Sequence, residues 1–372
     1  MIVKNNYNEC VTNLACSIRK YFELDYHHST LKEVDELLEK NHPKNVVMIL
    51  CDGMGSRILD KVLDSDSFLM KNRLKEITTV FPATTVAATT SITTGLNPVE
   101  TAMLGWDMYY KEIDKVITTF KDCEKDNPNQ EPLEEAINYK KSHMRTKTIT
   151  KEINEKGKYT GYGLFPFGKN PYKDENEMDE KIIKYCNEPG KKFIYAYQEE
   201  PDSSMHHLGT YHERVKHIIR DINKRVEAIS NKVEDTIIIV IADHGHVPVE
   251  NIHLEDYPDI VDCLQRNTSI EPRAVNFSIK EGKKEEFVER FNKHFGKDFD
   301  LYKMEDVIES HLFGDGEENE VYRDILGDFL AIGKTNKTIL YQGNSELLSQ
   351  HAGYTDEEIY VPLIIVNKGK AQ

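Results

Sequence analysis

Three short apolar runs, each stopped by acidic residues or histidines, constrain the fold of this 372-residue chain more than any other feature. Asn45-Val-Val-Met-Ile-Leu-Cys51 stops at Asp52-Gly53-Met54-Gly55. Lys192-Phe-Ile-Tyr-Ala-Tyr197 stops at Gln198-Glu-Glu-Pro-Asp202, with His206 four residues further on. Asp235-Thr-Ile-Ile-Ile-Val-Ile241 stops at Ala242-Asp-His-Gly-His246. Uninterrupted apolar runs of strand length suit strands buried on both faces, as in a parallel sheet. Between the last two lies Thr210–Lys232, polar with helical spacing, so the order is strand, helix, strand. In open parallel sheets, ligand sites gather outside the carboxyl ends of the strands. The same edge would then receive a carboxylate or imidazole from each run.

The rest of the chain extends this plan. Lys158–Phe165 is a weaker strand candidate, and Tyr360–Val366 is a last apolar run. The N-terminal ~40 residues look helical, with Leu31, Val34, Leu37 and Leu38 at helix spacing. From Leu254 to Leu347 the character changes. Arg273–Ile279, Asp328–Ile332 and Thr338–Tyr341 read as strands, and Lys283–Phe295 as a helix with Phe287, Val288 and Phe291 on one face. The expected fold class is α/β, a central mostly parallel sheet sandwiched by helices. Residues 1–253 and 348–372 would form its core, and 254–347 a small inserted α+β subdomain.

A formal net charge of −16 argues against binding a nucleic acid polymer or an anionic membrane over a broad face. A membrane-crossing helix needs about 20 apolar residues, and the runs here are much shorter. The N-terminal segment lacks the apolar centre of a signal peptide. The six cysteines are scattered without a Cys-x-x-Cys pair. A cytoplasmic protein acting on a small molecule is the expectation, with the oligomeric state open.

Asp52, Asp202, His206, Asp243, His244 and His351 are the candidate metal ligands. Asp202 and His206 share one face if that segment is helical. Three aspartates and three histidines offer oxygen and nitrogen donors, which fits Zn²⁺ or else Mn²⁺. Singly, each has an ordinary explanation: an aspartate after a strand often forms a turn, and Asp202 after Pro201 could cap a helix. Asp243-His244-Gly245-His246 directly after an apolar strand is harder to explain without a ligand. A second element is Phe81-Pro-Ala-Thr-Thr-Val-Ala-Ala-Thr-Thr-Ser-Ile-Thr-Thr-Gly95. Pro82 suits a helix start and Gly95 a helix end. Its small residues suit close packing. A threonine in its first turn would lie at the positive end of the helix, where backbone N–H groups can hold a phosphate. A threonine hydroxyl needs a base or a metal to become a nucleophile.

In this order, Asp52-Gly-Met-Gly, Phe81-Pro-Ala-Thr-Thr85…Thr94-Gly95, Glu200-Pro-Asp202-Ser-Ser-Met-His206, Ala242-Asp243-His244-Gly245 and His351-Ala-Gly-Tyr resemble the alkaline phosphatase superfamily. Within it they are most similar to the nucleotide pyrophosphatase/phosphodiesterase branch. The resemblance implies an alkaline-phosphatase-like fold and two divalent metal ions. Asp202, His206 and His351 would hold one; Asp52, Asp243, His244 and the nucleophile oxygen the other. It places the nucleophile at Thr85, with Thr84 as the fallback. Where that branch's phosphodiesterases carry a phosphoryl-binding asparagine, this chain has Trp106. Where an aromatic often follows the nucleophile, it has Val86. Trp106, Tyr109 and Tyr110 could line a replacement pocket. The implied activity is cleavage of phosphodiester or pyrophosphate bonds of nucleotides or related small molecules, through a phospho-threonine intermediate. Alternatives on the same scaffold are a phosphomonoesterase, for which Arg57 and Arg273 are the candidate anion clamps, a C–P bond hydrolase, or a phosphopentomutase-like mutase.

Overall fold

The computed structural model describes residues 4–168 and 171–370. Its central sheet contains β1 (Asn45–Cys51), β2 (Arg73–Thr78), β3 (Thr160–Leu164), β4 (Lys192–Gln198), β5 (Thr236–Ile241) and β6 (Tyr360–Lys368). Their order is β2-β6-β5-β1-β4-β3. β1 is parallel to β4 and to β5, and β4 to β3, whereas β6 runs antiparallel to both of its neighbours. The fold is therefore α/β, with a mostly parallel sheet flanked by helices. β1, β4 and β5 are buried along their whole length, as their apolar runs require. Helix Glu213–Ser230 covers the sheet with Val215, Ile219, Ile222, Val226 and Ile229. Each such buried aliphatic side chain contributes about 1.5–3 kcal/mol, which outweighs the weak propensity of a highly charged helix. β2 was not legible in the sequence. It is an edge strand carrying Arg73, Lys75 and Glu76, and edges favour charge over apolar runs.

A second sheet of seven strands, all paired antiparallel, forms the other lobe. Its order is Phe299–Lys303, Phe329–Gly333, Ala274–Phe277, Ser269–Glu271, Asp107–Tyr110, Lys115–Thr118 and Cys123–Glu124. The last three come from well before residue 254. The 254–347 segment therefore does not build its sheet alone, and the sequence boundary leaves out the 107–124 strands. They were missed because they are two to four residues long and carry no long apolar run. Helix Lys284–Phe295 buries Phe287, Phe291 and Phe295 against Phe277 and Phe299, while Val288 is only partly buried. No helix among the described residues is long and apolar enough to cross a membrane.

Candidate metal centre and nucleophile

Register brings the acidic residues together. Cys51 is level with Gln198 on one side of β1, and Leu50 with Ile241 on the other. Asp52, Asp202 and Asp243 thus leave three adjacent strands at one edge. The loops are tied to each other: Asp202 N–H donates to the Asp52 carbonyl at 3.0 Å, and Gly53 N–H to Asp243 Oδ1 at 3.0 Å. Gly53 has φ +71°, and a Cβ there would lie 2.9–3.0 Å from Met205, Asp202 and His246. Gly245 allows the Asp243 loop to cross another chain segment, since a Cβ there would meet the Glu357 carbonyl oxygen at 2.0 Å. Only glycine fits such approaches.

The aspartates and histidines fall into two clusters, Asp202–His206–His246–His351 and Asp52–Asp243–His244. Hydrogen bonds orient the imidazoles. His206 Nδ1 faces the Ser349 carbonyl at 2.8 Å, His351 Nδ1 the Ala83 carbonyl at 3.1 Å, and His244 Nδ1 the Gly245 carbonyl at 3.1 Å. A carbonyl only accepts, so each Nδ1 carries the proton and each Nε2 is left to ligate or accept. His206 Nε2 lies 3.4 Å from Asp202 Oδ2. His244 Nε2 lies 3.3 Å from Asp52 Oδ1 and 3.5 Å from Asp243 Oδ2. Donors about 2.0–2.1 Å from one tetrahedral ion are about 3.3 Å apart, so these spacings fit divalent cations.

Two further observations favour cations here. Asp243 Oδ2 is buried with no hydrogen-bond partner. Burial, followed by repulsion from neighbouring carboxylates, pushes the Asp52 and Asp243 carboxyls well above their usual range. A divalent cation would reverse both costs. Tyr197, which the sequence reading did not single out, donates to Asp52 Oδ2 at 2.5 Å and fixes its orientation.

The small-residue element forms helix Thr85–Thr94, starting three residues after Pro82, with Gly95 as its left-handed C-cap at φ +77°. Thr89, Thr90, Thr93 and Thr94 each donate to the carbonyl four residues back. Thr84, the N-cap residue, donates instead to Glu271 Oε1 at 2.5 Å. Thr85 lies at the first helical position, and its Oγ1 lies 3.2 Å from His244 Nε2 and 3.5 Å from Asp52 Oδ1. Of the two sequence candidates, Thr85 therefore faces the acidic cluster and Thr84 does not.

Thr85, Asp202, His206 and His351 open onto a cavity of about 350 Å³, whose wall also includes Trp106, Lys121, Lys125, Glu271 and Asn344. Trp106 is 37% exposed and meets Phe120 edge-to-face. Tyr109 is not on this wall; its hydroxyl donates to Asp114, and the Arg266 guanidinium lies 3.7 Å above its ring. Tyr110 is buried and stacks on Tyr139. Neither sequence candidate for an anion clamp reaches the cavity. Arg57 pairs with Glu76, and the fully buried Arg273 with Glu358. Among the described residues no arginine lines the wall.

Glu271 was missed by sequence reasoning because nothing local distinguishes it. Its Oε1 bridges Thr84 Oγ1 and the Trp106 N–H, the latter at 2.8 Å. Burial pushes its carboxyl up to about 7. A raised carboxyl pKa makes the folded state favour the proton. Its contribution is present below the unfolded value, near 4.5, and is lost as pH rises through 7. At about 1.4 kcal/mol per pH unit, metal-free Glu271→Gln should gain about 2.5 kcal/mol on wild type between pH 5 and pH 8. Urea unfolding at the two pH values measures this; parallel pH dependence of the two proteins would contradict the assignment.

No curated protein matches the chain by sequence. By structure it is similar to murine ectonucleotide pyrophosphatase/phosphodiesterase 5, with a TM-score of 0.66, 18% identity and 88% of each chain covered. The human protein of that name gives 0.65 and 20% over the same coverage. An inactive threonine-to-alanine variant of the murine protein, in complex with AMP, gives 0.63 and 18%, again with 88% of each chain covered. These likenesses show the alkaline-phosphatase-like fold. The family model described as type I phosphodiesterase/nucleotide pyrophosphatase matches residues 46–355, from β1 to just past His351. The chain therefore belongs to the type I phosphodiesterase/nucleotide pyrophosphatase family of hydrolases.

Proposed function

We propose that this protein cleaves phosphodiester or pyrophosphate bonds of nucleotides or related small molecules, with Thr85 as the nucleophile and two divalent cations, Zn²⁺ or else Mn²⁺, as cofactors. The observation that carries this reading is the position of Thr85, which lines the cavity beside Asp202, His206 and His351 while its hydroxyl faces Asp52 and His244 of the second cluster. The structural neighbour captured with AMP as an inactive threonine-to-alanine variant supports both the residue type and the substrate class.

Asp202, His206 and His351 would hold one cation, and Asp52, Asp243, His244 and Thr85 the other. When bound, the pair supplies Lewis acidity that lowers the hydroxyl pKa and neutralises charge developing on the phosphoryl oxygens. Thr85 Oγ1 passes its proton towards Asp52 Oδ1, 3.5 Å away, and attacks phosphorus in line. A P–Oγ1 bond forms, the P–O bond to the leaving group breaks, and the threonine is left esterified. Water then attacks the same phosphorus, the P–Oγ1 bond breaks, and one proton of the water returns to Oγ1 to restore Thr85. The helix N-terminus adds a favourable field for the anionic ester. Trp106 offers an exposed ring face to an aromatic substituent.

The test is paired turnover of bis-p-nitrophenyl phosphate and p-nitrophenyl phosphate by stripped protein reconstituted with Zn²⁺ or Mn²⁺. A diester preference of about ten-fold or more, abolished by a chelator, is expected. Monoester preference, or activity unchanged in stripped protein, would overturn the reading.

A further inference from the structure

We infer that His246 is a direct ligand of the first cation, so that this site has four protein donors (Asp202, His206, His246 and His351) rather than three. The inference rests on the two-cation reading above. The motif shared with the superfamily stops at Gly245, and nothing in it assigns a role to the next residue. In this chain the turn at Gly245 carries His246 away from the Asp243–His244 cluster and into the other one.

The imidazole tautomer of His246 supports ligation. His246 Nδ1 lies 3.1 Å from Ser349 Oγ, and Ser349 Oγ donates its single proton to the Met205 carbonyl at 2.7 Å. Ser349 can then only accept, so Nδ1 of His246 carries the proton. In a neutral ring this leaves the Nε2 lone pair 2.5 Å from Asp202 Oδ1. Two acceptors face each other, an arrangement that requires a cation or a proton between them.

Ring placement supports ligation as well. Imidazoles bound through Nε2 to one tetrahedral ion at about 2.0–2.1 Å have ring centroids about 5 Å apart. The His206–His246, His246–His351 and His206–His351 centroids are 4.8, 5.2 and 5.3 Å apart. The three rings thus radiate around one point beside Asp202. His244 departs from this set: it stacks on His351 at 3.8 Å, as expected for a ring serving the other cation. His246 is buried, whereas Asp202 and His206 are partly open to the cavity, so the added donor closes the inner side of the site. Four protein donors would complete a tetrahedral shell for such a cation.

The competing arrangement is a protonated His246 that holds Asp202 from outside the coordination shell. Loading full-length protein, labelled with ¹⁵N at histidine, with ¹¹³Cd²⁺ separates the two. The inference expects Nε2 of four imidazoles (His206, His244, His246 and His351) to split by coupling to cadmium. His246→Ala should remove one split signal and weaken the first site about 100-fold or more, while its metal-free melting shows whether it still folds. Two cadmium ions with only three split imidazoles, and a proton on His246 Nε2, would overturn the inference and leave the proposed function standing. No cadmium at either site would overturn both. The wild-type count does not depend on the variant folding.

Discussion

Replacing Thr85 with alanine is expected to lower diester turnover about 1,000-fold or more while both cation sites still fill. Thr85 is the one threonine of its helix whose hydroxyl faces the Asp52–His244 cluster; the later ones are bonded to the helix backbone and Thr84 is held by Glu271. Alanine removes a single hydroxyl from a helix whose other contacts are unchanged, so folding should be preserved. Steady-state rates on bis-p-nitrophenyl phosphate, with metal content measured on the same samples, provide the check. Turnover within ten-fold of wild type with full metal occupancy would eliminate a covalent route through Thr85. Thr84→Val serves as a contrast: it breaks the bond to Glu271 but leaves the Thr85 hydroxyl in place.

The second large effect concerns stability. Arg273→Met is expected to cost about 3–5 kcal/mol in urea unfolding. The Arg273 Nε and Nη2 groups donate to both oxygens of Glu358 at 2.6 and 2.9 Å, and both side chains are fully buried. Removing the guanidinium leaves the Glu358 carboxylate buried without its charge partner, and that uncompensated charge is the main cost. Glu358 also accepts from Gly353 N–H and from the Thr355 N–H and hydroxyl. The pair therefore clamps the turn after His351 against strand Ala274–Phe277 of the second lobe, and the variant should also weaken the first cation site. Arg57→Ala removes a partly exposed pair with Glu76 and should cost at most about 1 kcal/mol. A loss below about 1 kcal/mol for Arg273→Met would contradict the clamp.

The parts of this molecule that were legible in the sequence are those where local pattern and global position agree. β1, β4 and β5 are buried on both faces, so their apolar runs could be read directly, and the residues ending them had to lie at one sheet edge. Asp52, Asp202, His206, Asp243, His244 and His351 are brought together as that reasoning implied. What was not legible depends on tertiary contact. The strand Ser269–Glu271 pairs with Asp107–Tyr110 through the Ile270–Asp107 bridge, between residues 163 apart in the chain, and no periodicity announces such a partner. Glu271 and Tyr197 gain their roles only from what they touch, Thr84 with the Trp106 N–H for one and Asp52 for the other. Arg273 shows the converse. As a lone arginine in sequence it was a candidate anion clamp, whereas the fold buries it with Glu358. His246 was visible beside His244, but only the turn at Gly245 shows which cluster it joins.

The proposed two-step route through Thr85 has a stereochemical signature. Each in-line displacement inverts phosphorus, so attack by Thr85 followed by attack of water gives net retention. The most direct measurement is the configuration of the product when a phosphorothioate diester of known chirality is hydrolysed by the cation-loaded wild-type protein in ¹⁸O-water. Retention is the predicted result. Inversion would mean that water attacks the substrate directly, and would contradict the role assigned to Thr85.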